Sequence, residues 1–207
     1  MFIIFDLDDT LIDTSGFITP YKLQQCARIF GVKQEALLEE NRIKAKAQEA
    51  IVSFAIKNGL ESKVDDALSE LKAPLPPHFK VPLIPCAKDV LNHFKKRCNL
   101  GLVTMGDSSF QQDKLKKSGI DSSLFSMIRV LERAEKKLAY EEIQEKFLLE
   151  PKSIWVCGDR IDTDLRPAHE LGFHTVHMRW GRGLKEKHED WIDHTIDGLE
   201  ELKERIK

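Results

Sequence analysis

Short apolar runs and helical-period stripes alternate along most of the chain. Phe2 to Phe5, Leu100 to Val103, Met127 to Val130, Ile154 to Cys157 and Thr175 to Met178 are four-residue runs of largely β-branched, aromatic and other apolar residues, and they predict strands buried on both faces. Between them apolar residues recur at helical spacing: Val90, Leu91 and Phe94; Ile143 and Phe147; Leu165, Ala168 and Leu171, with Gly172 as a helix stop. Ile196, Leu199, Leu202 and Ile206 predict a closing helix. From about Pro85 onward this alternation of strand and helix implies a mainly parallel sheet covered on both faces.

The stretch from about Thr14 to Pro85 carries no strand pattern. Leu23, Cys26, Ala27 and Phe30 form one helical stripe, Ile43, Ala47, Ala50, Ile51 and Phe54 a second, and Val64, Ala67, Leu68 and Leu71 a third. The Pro-rich run from Ala73 to Pro82 then breaks helix repeatedly and reads as a stiff return linker. The expected organisation is an α/β core of residues 1–14 and 83–207, interrupted by a small helical bundle, the cap, at residues 15–82.

Composition narrows the class without changing that picture. With 207 residues, 42% hydrophobic and 32% charged, the chain is long enough for a substantial core and has neither the composition of a disordered protein nor that of a disulfide scaffold. A formal net charge of −2, from 32 basic and 34 acidic side chains, supplies no overall field for nucleic acid or an anionic membrane. Cys26, Cys86, Cys98 and Cys157 lack zinc-type spacing, no apolar run reaches membrane-spanning length, and the N-terminus lacks the basic start of a signal peptide, so a cytoplasmic location is expected.

The chemistry gathers where the strands end. Phe2 to Phe5 is followed by Asp6-Leu7-Asp8-Asp9-Thr10-Leu11, in which alternate carboxylates can converge on one hard cation such as magnesium or, more blandly, cap a turn. Leu100 to Val103 ends at Thr104-Met105-Gly106-Asp107, and Ile154 to Cys157 ends at Gly158-Asp159-Arg160-Ile161-Asp162-Thr163-Asp164. In an open α/β sheet, ligands bind beyond the carboxyl ends of the strands, so these segments would share one crevice. Lys136 or Lys137, between the third strand and the next helix, would bring positive charge to it.

In this order of DxDxT, strand-ending Thr, Lys and GDxxxxD, the chain resembles the haloacid dehalogenase superfamily, on the phosphatase branch with a helical cap of the first type, similar to phosphoglycolate phosphatases. The resemblance covers roughly residues 1–15 and 83–180 and implies a Rossmann-like core. It implies that Asp6 is a nucleophile forming an aspartyl-phosphate, and that Asp8 is the general acid and base. Thr104 and Lys136 would bind the phosphoryl group, with Lys137 as the alternative lysine. Magnesium would be held by the Asp6 carboxylate, the Asp8 backbone carbonyl and Asp159, with Asp164 behind them orienting metal-bound water or the lysine.

The implied substrate is a small phosphorylated metabolite, a phosphomonoester. A phosphomutase of the same superfamily and a non-catalytic binding protein on the same fold are the alternatives, and Asp8 argues against a dehalogenase, which needs no proton donor for its leaving group. Arg42, Lys44 and Lys46 are candidate anion readers in the cap, and Arg160 is a further candidate near the fourth motif. The loop Arg179-Trp180-Gly181-Arg182-Gly183 is left between lining the site and facing a partner.

Overall fold

The computed structural model describes residues 1–44, 46–132 and 135–206. Among the described residues six strands form one parallel sheet: β1 (Phe2–Phe5), β2 (Asn99–Met105), β3 (Met127–Leu131), β4 (Ile154–Gly158), β5 (His174–Met178) and β6 (His194–Ile196), in the order β3-β2-β1-β4-β5-β6. Every run expected to be a strand is one, lengthened by one to three residues except for β1, which keeps its expected bounds. The addition is β6, whose His-Thr-Ile carries too little apolar sequence to announce itself and is specified by pairing with β5, Val176 opposite His194 and Met178 opposite Ile196.

The remaining helices are α1 (Thr19–Phe30), α2 (Gln34–Lys44), α3 (Ala47–Asn58), α4 (Val64–Lys72), α5 (Ala87–Lys95), α6 (Ser108–Ser118), α7 (Lys136–Lys146), α8 (Arg166–Glu170) and α9 (Leu202–Arg205). On the sheet, Phe2, Ile4, Val103, Ile154 and Val156 pack with Tyr140 and Ile143 of α7 and with Leu165, Ala168 and Phe173 in one buried cluster. Strands of this kind are buried on both faces, which is why they read as continuous apolar runs.

Two sequence expectations change. The closing helix is confined to α9, because Ile196 belongs to β6 and the chain is extended at Gly198; the Glu201 carboxylate accepts from the Gly198 and Asp197 N–H groups, so helical turns start only beyond that point. The stripe from Ile43 to Phe54 is two helices, since Lys46 is extended between α2 and α3; Ile43 is 64% exposed, whereas Ala50 and Ile51 are fully buried.

The chain divides into two compact units, Met1–Thr14 with Pro77–Lys207, and Ser15–Pro76. The second is held by Leu23, Cys26, Ala27, Phe30, Leu37, Ile51, Phe54, Ala55 and Ala67. The boundary after the bundle thus falls at 76/77 and not 82/83. Residues 77–84 are tied to the sheet unit: Val81 N–H donates to Lys117 O at 3.3 Å, Pro82 O accepts from Asp13 N–H at 2.9 Å, and Leu83 bridges to Ile12. Among the described residues no helix is long and apolar enough to cross a membrane.

Candidate active site

Strand order places β1 at the centre, with β2 on one side and β4 on the other, so the direction of chain progression reverses between β1 and β4. Phe5 pairs with Leu102 and with Cys157, which brings the residues after β1 and β4 and the end of β2 to the same edge of the sheet. That edge is where α/β folds bind ligands. Asp6, Asp8, Asp9, Thr104, Lys136, Asp159 and Asp164 are all buried there, none more than 8% exposed.

Asp6 and Lys136 meet directly, with Nζ 2.5 Å from Asp6 Oδ1 and 2.9 Å from Asp164 Oδ1. Burial opposes the charge on Lys136, but Asp164 and Asp6 outweigh it and hold the ammonium above the usual lysine range. Lys137 lies on the outer side of α7, paired with Glu170 at 2.9 Å. The ambiguity between the two lysines therefore resolves on helical geometry: adjacent residues on a helix point about 100° apart, and only one of them can face the sheet edge.

One carboxylate oxygen from each of Asp6, Asp159 and Asp164 lies within 4.8 Å of the others. Burial pushes the Asp6 carboxyl up to about 6; Lys136 opposes this, while Asp164 and Asp8 add to it. Burial likewise raises Asp159 well above the usual carboxylate range. Both Asp159 oxygens are buried and, among the described residues, accept no hydrogen bond. Asp164 differs: Oδ2 accepts from the Arg160 N–H at 2.9 Å, and Oδ1 faces Lys136. A divalent oxygen-seeking cation fits this donor set, because it would satisfy the orphaned oxygens and offset the crowding of like charges.

Asp8 faces a different set of groups. Its carboxylate accepts from Thr14 Oγ1, from Gln111 Nε2 at 2.9 Å and from Lys114 Nζ at 2.5 Å. Burial would raise its carboxyl, but Lys114 and Arg182, with the hydrogen bonds from Lys114 and Thr14, hold it below the usual carboxylate range. Its carboxylate is thus outside the Asp6, Asp159 and Asp164 group, leaving only its backbone carbonyl for the metal role expected of it.

Gln111 and Lys114 escaped the sequence reading for a physical reason. The buried positions of α6 are Gln111, Lys114, Leu115 and Ser118, a helical stripe written mostly in polar residues because it faces Asp8 and not a hydrophobic core. A search for apolar periodicity passes over such a helix, whereas the i, i+3, i+4, i+7 spacing of long polar side chains would have found it. Thr104 lies at the end of β2 with its Oγ1 buried and unpartnered among the described residues, as does Thr10 Oγ1. Each is a hydroxyl free to donate to a ligand oxygen.

The remaining candidates are dispersed. Arg160 pairs with Glu186 at 2.7 Å, Arg179 with Asp197 at 3.5 Å, and Asp162 with Arg166 at 3.0 Å. In the helical unit, Arg42 pairs with Glu39 at 3.0 Å and Lys46 with Glu49 at 2.9 Å, while Lys44 ends α2. Within the loop left open, Arg182 is the residue that enters the site: its Nε donates to Asp9 Oδ2 at 3.0 Å and lies 3.3 Å from Asp159 Oδ2.

Comparison with known proteins bears on the fold and the family. The chain is 27% identical to the glyceraldehyde 3-phosphate phosphatase of Methanocaldococcus jannaschii over 219 aligned positions, 99% of this chain and 96% of that protein. Its fold is similar to that of a predicted phosphoglycolate phosphatase from Haemophilus somnus, with a TM-score of 0.72 at 20% identity over 100% of this chain and 97% of the other. It is also similar to the hydrolase YfnB of Bacillus subtilis, solved bound to magnesium, with a TM-score of 0.71 at 18% identity over 100% and 98%. The family model for haloacid dehalogenase-like hydrolases matches residues 3–178, and the chain belongs to that family of hydrolases.

Proposed function

We propose that the protein is a magnesium-dependent phosphomonoester hydrolase in which Asp6 attacks phosphorus and an aspartyl-phosphate is then hydrolysed. The observation that carries this reading is the pairing of Lys136 with both Asp6 and Asp164 beside the buried oxygens of Asp159, which accept no hydrogen bond among the described residues. A buried carboxylate held by an ammonium is oriented for in-line attack, and the same ammonium can follow negative charge onto a phosphoryl oxygen. Asp159, Asp6 and the Asp8 carbonyl would hold the metal, which lowers the repulsion between an anionic substrate and an anionic nucleophile. Asp164, its oxygens engaged by Arg160 N–H and Lys136, fixes the lysine in place.

Thr104 Oγ1, buried without a partner, donates to a phosphoryl oxygen. Asp8, held as a carboxylate by Lys114, Gln111 and Thr14, accepts the proton of the water that opens the acyl-phosphate. In the first half-reaction the leaving oxygen takes a proton from the same Asp8–Lys114 pair, whose members sit within one short hydrogen bond of each other. The substrate class is a small phosphorylated metabolite. The names of the relatives, one acting on a triose phosphate and one on phosphoglycolate, put two- and three-carbon phosphomonoesters first in any panel.

The test is phosphate release from such a panel, with magnesium and with EDTA, by the wild-type protein and Asp6→Asn. Hydrolysis that needs both magnesium and Asp6 is the expected result. Turnover by Asp6→Asn at the wild-type rate would sink the mechanism.

A further inference from the structure

We infer that Arg182 is an internal counter-cation of the acidic cluster: it shares Asp159 with the divalent metal and so sets how tightly that metal is held. The inference rests on the metal site proposed above and adds to it a residue from a loop that the expected chemistry leaves unassigned.

The loop is built to bring this side chain in. Gly181 has φ +51, and a Cβ there would lie 2.5 Å from the Asp9 carboxylate carbon; a Cβ on Gly183 would lie 2.3 Å from Met178 O and 3.0 Å from Asp159 O. Side chains at either position would push the loop off the two acidic segments, so the glycines flanking Arg182 permit the contact. Asp9 is fully buried and holds φ +56, a backbone region unfavourable for a residue with a Cβ. Its carboxylate meets Arg182 there.

A single nitrogen lies against two carboxylates. Arg182 Nε donates to Asp9 Oδ2 at 3.0 Å, and Asp159 Oδ2 lies 3.3 Å from the same nitrogen without receiving a directed hydrogen bond. Asp159 is therefore neutralised by proximity of charge while its hydrogen-bonding capacity remains unused. A metal ion supplies what the guanidinium does not, namely direct coordination, but it must bind an oxygen whose charge is already partly compensated.

The charge balance points the same way. Asp6, Asp8, Asp9, Asp159 and Asp164 face Lys114, Lys136 and Arg182, five carboxylates against three cations, a formal −2 that one divalent ion brings to zero. Without Arg182 the cluster would stand at −3 and attract the ion more strongly, at the expense of the metal-free fold. The Arg182 side chain is 35% exposed, in contrast to the fully buried Asp9 and Asp159, so water can take over its outer face when the metal claims Asp159.

The experiment uses the full chain stripped of metal, with Mn2+ as the probe. Binding is followed by the loss of the free-ion electron paramagnetic resonance signal, and metal-free stability by thermal unfolding. Arg182→Gln is expected to bind Mn2+ about tenfold tighter than wild type. It is also expected to unfold at a lower temperature without metal and to gain more in Tm when Mn2+ is added. Unchanged or weaker Mn2+ binding would overturn the inference and leave Arg182 as a residue that only orients Asp159. Should Arg182→Gln not fold, Arg182→Met decides, because it likewise removes the positive charge while its apolar stem fills much of the same space. Binding tighter than wild type is expected of it, and equal or weaker binding rejects the shared-ligand role.

The failure of the underlying metal site looks different. Wild type and Asp159→Asn would then bind Mn2+ equally poorly, and both the metal reading and the inference would fall. Wild-type binding that is lost in Asp159→Asn but unmoved in Arg182→Gln would reject the role of Arg182 alone.

Discussion

Asp6 and Asp8 leave the same strand two residues apart, yet the protein treats them oppositely. Asp6 sits among carboxylates with Lys136 as its ammonium partner, and burial raises its carboxyl to about 6. Asp8 receives Lys114, Gln111 and Thr14, enough donors to overcome the same burial and to keep it ionised. The side of the site that is short of donors is the side suited to taking up a cation; the side rich in donors keeps its carboxylate ionised and beside a proton-bearing partner, Lys114. Burial alone therefore does not determine what a carboxylate does in this site. The partners supplied by the helices opposite it decide.

The largest effect that would break this contrast is on catalysis. Asp6→Asn should lower turnover by on the order of 10⁴-fold or more, while Asp8 keeps its donors and the fold is retained, as checked by activity and circular dichroism. The same variant should stabilise the metal-free protein near pH 7 by about 1–3 kcal/mol in denaturant unfolding, because it removes a charge that burial disfavours. The sign follows from the raised pKa. Between about pH 4 and the folded value of about 6, the unfolded chain has released the Asp6 proton and the native chain has not, so wild-type stability falls as pH rises through that window. The gap between Asp6→Asn and wild type should widen over the same range and level off above it. A gap that narrows with rising pH would show that Asp6 is not the raised group.

Lys136→Met comes next. It strands Asp6 and Asp164 in a buried site, and a loss of about 3–5 kcal/mol is expected alongside loss of activity. Wild-type stability in this variant would deny the pairing. Lys114→Met addresses the other side of the comparison: kcat on alkyl phosphates should fall on the order of 10²-fold, with a smaller loss on p-nitrophenyl phosphate, whose leaving group needs little protonation. Equal losses on both substrates would place Lys114 outside the proton-transfer step. At the small end, Lys137→Ala removes only an exposed pair with Glu170 and should change stability by no more than about 0.5 kcal/mol, with activity retained.

The same division between apolar and polar burial explains what could be read in advance. β1, β2 and β4 were legible because a strand covered on both faces is apolar through its middle, and the acidic and hydroxyl residues that end them stand out against those runs; β3 and β5 carry enough apolar residues between their polar ones to show as well. α6 was not, since its inward face is Gln111, Lys114 and Ser118 with a single apolar residue, Leu115. Arg182 was visible as part of a Gly-Arg-Gly segment, but nothing local says which carboxylates such an arginine reaches. β6 was hidden for a third reason: a three-residue edge strand takes its conformation from its neighbour more than from its own propensity.

By itself, then, the sequence determined the alternation of strand and helix, the helical insertion, and the residue types that end β1, β2 and β4, because local hydrophobic period and composition dictate those features. Only the tertiary structure decided that Lys136 and not Lys137 meets Asp6, that Asp8 is surrounded by donors while Asp159 lacks them, and that Arg182 lies between Asp9 and Asp159. These are contacts between residues tens to more than a hundred positions apart. Their energies depend on distance and burial, which no local window of sequence contains.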